Sequence, residues 1–206
     1  MVKQARRERE KAEFREEVLT AARAIVLEEG YGALTMRKIA EAIDYAPGTI
    51  YLYFESRDAI AFELCRRGFE ALYDALVPAA SIADPQERVR ELGRRYVSFG
   101  MENSETYRLI FMEDPDYASA LFEEQADDPQ SPGMKSLGLL VTAFSQARQL
   151  GRLTIDVAPD VLAEMIWASV HGIVALKITY DRFPRTQAGE LLTALTDALF
   201  DGLFAR

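Results

Sequence analysis

The chain has 206 residues, 49% of them apolar, with 24 Lys and Arg against 33 Asp and Glu, for a net charge of −9. That length and apolar content can bury a full core and fit one small domain plus one larger one. A single cysteine, Cys65, excludes an internal disulfide, and residues 1–17 alternate Arg, Lys and Glu without the apolar centre of an export signal, so a cytoplasmic protein is expected.

Helical periodicity recurs along almost the whole chain and sustained alternation is absent, which predicts an all-α protein of about nine helices. The first helix is expected over residues 5–29, with Phe14, Val18, Ala22, Ile25 and Val26 on one stripe and Gly30 placed to end it. Thr35 is a cap for a second helix with Ile39, Ala40 and Ile43 on its inner face. A third is predicted over residues 47–54, since proline suits a first helical position. Ser56 would cap a fourth, which carries Phe62, Cys65, Phe69, Leu72 and Leu76 and stops near Pro78. Asp84, Pro85 and Glu87 together mark a clear helix start. Breaks are expected near Asn103, at Asp114-Pro115 and across residues 127–133, and later helices over 134–150, 159–180 and 187–204.

The stretch TMRKIAEAIDYAPGTIYLYF, residues 35–54, has the organisation of two short helices joined by a tight turn. In a helix-turn-helix the first helix is braced on the DNA backbone and the second presents side chains to the major groove. Ile39, Ala40, Ile43 and Ile50 are spaced to pack inward. Thr35, Arg37, Lys38, Tyr45, Pro47, Gly48, Thr49, Tyr51 and Tyr53 are then free to face DNA, with Arg57 beside them. Gly48 permits close backbone approach, and Thr or Tyr hydroxyls can bond phosphate oxygens. Pattern alone leaves open that such a pair is ordinary bundle core. Net charge does not forbid DNA: residues 1–60 hold ten Lys/Arg and eleven Asp/Glu, whereas 61–206 hold fourteen and twenty-two. The acidic excess therefore lies mostly outside the pair, and local basic groups set phosphate affinity.

The segment EEGYGALTMRKIAEAIDYAPGTIYLYFESRDAI, residues 28–60, closely resembles the DNA-binding domain of the TetR (tetracycline-repressor-like) family. The resemblance implies a helix-turn-helix domain over residues 1–55 and a C-terminal ligand-binding and dimerising helical bundle over 56–206. Departures from the family pattern are local. Asp44 stands where glycine is common in the turn, and Asp tolerates a left-handed backbone. Ala46 replaces a capping Ser, Leu52 occupies an often polar position, and Arg57 replaces Lys. Phe54 is expected in the core, and Tyr51 and Tyr53 to be mixed.

The C-terminal sequence supports a bundle on its own terms. Residues 161–180 are long and apolar enough to span a membrane, but Glu164, His171 and Lys177 interrupt them. A charge at a helix centre costs roughly 2.5–3.5 kcal/mol on insertion scales, so a buried bundle helix is expected and no membrane. Val161, Leu162, Met165, Ile166, Val170, Ile173, Val174 and Ile178 make this helix apolar almost all round, and Leu191, Leu192, Leu195, Leu199 and Leu203 give the last one a broad apolar face. Two such helices per subunit suit a homodimer, or an intramolecular core. Tyr96, Phe99, Tyr107, Phe111, Met134 and Phe144 suit a pliant apolar pocket as well as they suit a core. Trp167 and His171 share a helix face and, with Gly172, resemble a Trp-x-x-x-His-Gly motif of one family subgroup. His171 is either a ligand contact, a pH-sensitive group or a satisfied core histidine. No catalytic triad, Gly-rich phosphate loop or metal-ligand spacing is present, so no enzyme activity, cofactor or metal is expected. The expected function is a transcriptional regulator, a repressor released from palindromic operator DNA by a small hydrophobic or amphipathic effector. The alternative is a ligand-independent DNA-binding or adaptor protein of the same fold.

Overall fold

A computed structural model describes residues 2–112, 128–180 and 182–204. Apart from one isolated bridge between Leu153 and Phe204, the described residues are helices, turns and connections. They fall into two compact units. One holds residues up to Gly68 together with the segment that begins at Arg108; the other holds the rest. The predicted break at Asp114-Pro115 lies outside the described residues.

The first unit contains α1 (Val2–Glu29), a 3-10 turn (Tyr31–Ala33), α2 (Met36–Ala42), α3 (Pro47–Ile50) and the opening of α4 (Arg57–Leu76). Gly30 ends α1 with φ 81°, where a Cβ would be strained. The Lys38 N–H donates to Thr35 Oγ1 at 3.1 Å, and the Ala59 N–H donates to Ser56 Oγ at 3.1 Å, so both predicted caps form. Asp44 turns the chain between α2 and α3 at φ 61°, and Ala46 precedes α3 without a side-chain cap. The stripe Phe14, Val18, Ala22, Ile25 and Val26 is buried with Leu34, Ile39, Ala40, Ile50 and Phe54. Full burial of one such aliphatic side chain stabilises by about 1.5–3 kcal/mol. Ile43 departs from expectation: it forms the C-cap of α2 and is only half-buried. The predicted third helix also shortens. The Leu52 N–H donates to the Thr49 carbonyl and the Tyr53 N–H to that of Ile50, so residues 51–53 form a tighter turn in place of α-helix.

The second unit contains the end of α4, a 3-10 turn (Val77–Ser81), α5 (Pro85–Glu102), the opening of α6 (Ser104–Phe111), α7 (Pro132–Gln149), α8 (Pro159–Thr179) and α9 (Ala188–Leu203). Helix α5 packs against α7, α8 and α9. Proline stands at the first turn of α5, α7 and α8. Helix α7 begins earlier than predicted because Ser131 Oγ accepts the Met134 N–H at 3.3 Å, with Pro132 next in line. Asp84 does two jobs: it accepts the Glu87 N–H at 2.9 Å and pairs with Arg152, and those bonds hold its carboxyl below the usual carboxylate range. Removing it in Asp84→Ala should lower stability by about 1 kcal/mol in a urea titration. Loss below a few tenths would show that the cap contributes nothing.

Candidate nucleic-acid interface and bundle interior

Helix α3 has four residues, too few to hold itself, since isolated helices below about 12–15 residues are marginal in water. Its inward residue Ile50 is wholly buried, which leaves Pro47, Gly48 and Tyr51 exposed and Thr49 half-buried on the outward side. Tyr45 is 47% exposed and Tyr51 56% exposed. A Cβ at Gly48 would meet no atom within 4 Å, so this backbone is open to close approach. The phenol rings of Tyr45 and Tyr53 flank Phe14 of α1 at centroid distances of 4.9 and 4.5 Å.

The basic residues are more engaged than their types suggest. Arg37, exposed, pairs with Glu41 at 2.7 Å, and Lys38 pairs with Glu29. Exposed pairs of this kind contribute about 0–1 kcal/mol, so both cations exchange partners at little cost. Arg57 donates to the Leu34 carbonyl at 3.1 Å, lies over the Tyr31 ring at 5.0 Å and pairs with Asp58 at 3.3 Å. Thr35 is exposed, with its hydroxyl oxygen accepting the α2 cap bond. Leu52, apolar at an often polar position, is 81% exposed in the turn after α3. Phe54 is buried, as expected.

In the second unit four of the predicted ligand residues meet. The Trp167 indole N–H donates to Tyr96 Oη at 3.2 Å, Tyr96 Oη lies 3.0 Å from Tyr107 Oη, and Tyr107 Oη lies 2.6 Å from His171 Nδ1. An indole nitrogen only donates, so the first of these bonds runs from Trp167 to Tyr96. Burial holds the His171 pKa below the ordinary histidine value and pushes both phenols upward, which keeps the whole chain uncharged near neutral pH. Tyr107 and His171 are also stacked, with centroids 5.6 Å apart.

The other predicted ligand residues are apolar. Phe144 is fully buried and stacks on Phe204 at 6.1 Å, Phe99 is buried in α5, and Met134 is half-buried in the first turn of α7. Phe111 ends α6 and belongs to the first unit. A cleft of about 310 Å³ opens elsewhere in the second unit, lined by Glu70, Tyr73, Asp74, Pro132 and Lys135, none of which sequence pattern singled out. Along α8, Val161, Met165 and Leu176 are each about two-fifths exposed on a helix whose other side, Leu162, Ile166, Val170 and Val174, is buried.

Comparison with known proteins places these features. Residues 18–64 match the model for bacterial regulatory proteins of the tetR family, and residues 89–200 match the tetracyclin repressor-like C-terminal domain. The HTH-type transcriptional repressor KstR of Mycolicibacterium smegmatis is 39% identical over 71 residues, 34% of each chain. The curated relatives are thus matched over between 34% and 56% of their own length. Among solved structures, the fatty acid degradation regulator FadR from Bacillus halodurans superposes with a TM-score of 0.72 at 19% identity, over 90% of this chain and 93% of that one. A putative transcriptional regulator from Saccharomonospora viridis in complex with choline gives 0.69 at 19% identity, over 95% and 100% of the two chains.

Proposed function

The chain belongs to the TetR family of bacterial regulatory proteins, and on that premise we propose that it is a DNA-binding transcriptional regulator, a repressor whose residues 1–55 read operator DNA. The observation that carries this reading is α3, buried through Ile50 alone while its outward side offers Pro47, Gly48, Thr49 and Tyr51. In this reading Tyr45, Thr49 and Tyr51 contact base edges and backbone in the major groove. Thr35, Arg37, Lys38, Tyr53 and Arg57 act at the phosphate rim.

Residues 56–206 would dimerise and receive an effector. The exposed apolar stripe of α8 supports a two-fold interface with α9, in which Leu191, Leu195 and Leu199 are half-buried in the single chain. Each subunit then presents one α3 to successive major grooves of a palindrome. An effector bound more tightly by one arrangement of the bundle shifts the population away from the operator-fitting one. The complex of the Saccharomonospora relative with choline supports a small-molecule effector. The hydrogen-bonded interior of Tyr96, Tyr107, Trp167 and His171 is already satisfied, which favours the ligand-independent alternative for that spot. A protein that acts on operator DNA works in the cytoplasm.

Thr49→Ala and Tyr51→Ala should each weaken duplex binding about tenfold, the size of one lost contact of roughly 1–3 kcal/mol, without changing dimer stability. An anisotropy titration in which both variants bind like the parent would overturn the assignment of α3.

A further inference from the structure

The short α3 raises a question that its own residues do not answer: what fixes its orientation. Four helical residues without a side-chain cap leave the segment poorly self-sustained. Ile50 anchors one point, and one point does not set a rotation. Besides the packing of α2 on α3, two adjacent residues of α1 add constraints at both ends of the segment. Phe14 lies edge-on to Tyr45 before α3 and against Tyr53 after it. Arg15 donates from Nη1 to the Tyr53 carbonyl at 2.7 Å, with its guanidinium 4.1 Å above the Phe54 ring.

We propose that Arg15 is a positioning residue for DNA recognition, holding the C-terminal end of the recognition segment from α1 without itself touching DNA; this rests on the assignment of α3 as the DNA-facing helix. Carbonyls at the end of a helical turn lack intrahelical donors, and a cation there completes them and interacts favourably with the local dipole. The planar fork of Arg suits this place because it donates at its edge while its face stacks on Phe54, which is buried. The same geometry keeps the guanidinium from phosphate: it is half-buried, with its edge given to a carbonyl and its face to a ring. Arg15 therefore acts on affinity through the stance of Thr49 and Tyr51, which precede the carbonyl it holds.

The test uses the full-length protein and a duplex that the parent enriches from a random-sequence pool. Arg15→Met keeps the aliphatic stem and loses the fork; Arg15→Lys keeps the charge and N–H donors without the planar fork. We expect Arg15→Met to bind about tenfold more weakly, in line with loss of one hydrogen bond to a charged donor. Arg15→Lys should recover part of that loss. The slope of log affinity against log salt should stay at the parental value, because a residue that neutralises a phosphate changes it by about 1. Amide NMR shifts of residues 49–54 should move in Arg15→Met while those of the second unit stay. Parental affinity in Arg15→Met, or a slope lowered by about 1, overturns the proposal. So does a loss fully explained by the unfolded fraction at the assay temperature. Tyr51→Ala serves as the reference: weakened binding there with parental binding in Arg15→Met refutes the role of Arg15 alone. Parental binding in both, or no duplex enriched at all, refutes the assignment of α3 and this proposal with it.

Discussion

Gly100→Ala is expected to destabilise the protein by about 2–3 kcal/mol, the upper part of the range for an overpacked core, although alanine is the better helix former. Gly100 sits in α5. A Cβ there would overlap Val174 Cγ1 of α8 and stand 3.1 and 3.2 Å from the Tyr107 ring. Neither neighbour has room to yield: both are fully buried, and valine is stiff at χ1. Intrinsic propensity alone would favour alanine over glycine by about 1 kcal/mol, so the sign of the result decides which effect governs. The same helix contains its own control. A Cβ at Gly93 would make ordinary contacts, 3.4 Å to Leu192 Cδ1 and 3.8 Å to Val170 Cγ1. Gly93→Ala should therefore be neutral or stabilising by a few tenths of a kcal/mol, up to about 1. Urea titrations at one fixed protein concentration make the comparison, since a dimer's midpoint depends on concentration. Equal effects at the two positions would mean that α5 and α8 do not approach closely at Gly100.

What sequence made legible, and what it did not, divides by distance along the chain. Thr35, Ser56 and Asp84 cap as their types and spacing predict, because a cap joins residues three apart and needs no knowledge of the fold. Gly30 and the left-handed Asp44 are legible for the same reason. The length of α3 was not: apolar spacing through Phe54 suits a helix, whereas residues 51–53 form a turn that meets Phe14 and Arg15, far off in sequence. The apolar type of Leu52 departs from the family pattern without telling its place, because exposure is a property of the folded surface. The interior chain of Trp167, Tyr96, Tyr107 and His171 combines one local signal, the spacing of Trp167 and His171, with pairings 64 to 75 residues apart. Pattern marks such aromatics as interior and leaves their mutual bonding open. Gly100 carries no signal at all, for a glycine within a helix becomes informative only when the opposing side chain is known.

Tyr107→Phe should cost about 2 kcal/mol at pH 7.5, within the range for leaving buried polar groups unpaired. The lost hydroxyl is the hydrogen-bond partner of both Tyr96 Oη and His171 Nδ1. Tyr96 limits the damage, since its hydroxyl lies 3.3 Å from the same nitrogen and can turn to it. His171 adds a pH dependence that separates its own role from that of the phenols. Burial lowers its folded pKa, so between that value and the unfolded one of about 6.5 the unfolded chain binds the proton and the native state resists it. Stability is then fully present above the unfolded pKa and falls as pH drops below it, by at most about 1.4 kcal/mol per pH unit for one proton. His171 is the chain's only histidine, and Glu16, Glu63 and Asp84 are held below the usual carboxylate range, so they titrate in more acid solution. His171→Gln should flatten the profile between pH 5.5 and 7. Tyr107→Phe should keep the slope at lower overall stability, because burial, which the substitution leaves in place, is its cause. A parental slope in His171→Gln would move the titration to another group and would show that the imidazole does not stay neutral in the folded bundle.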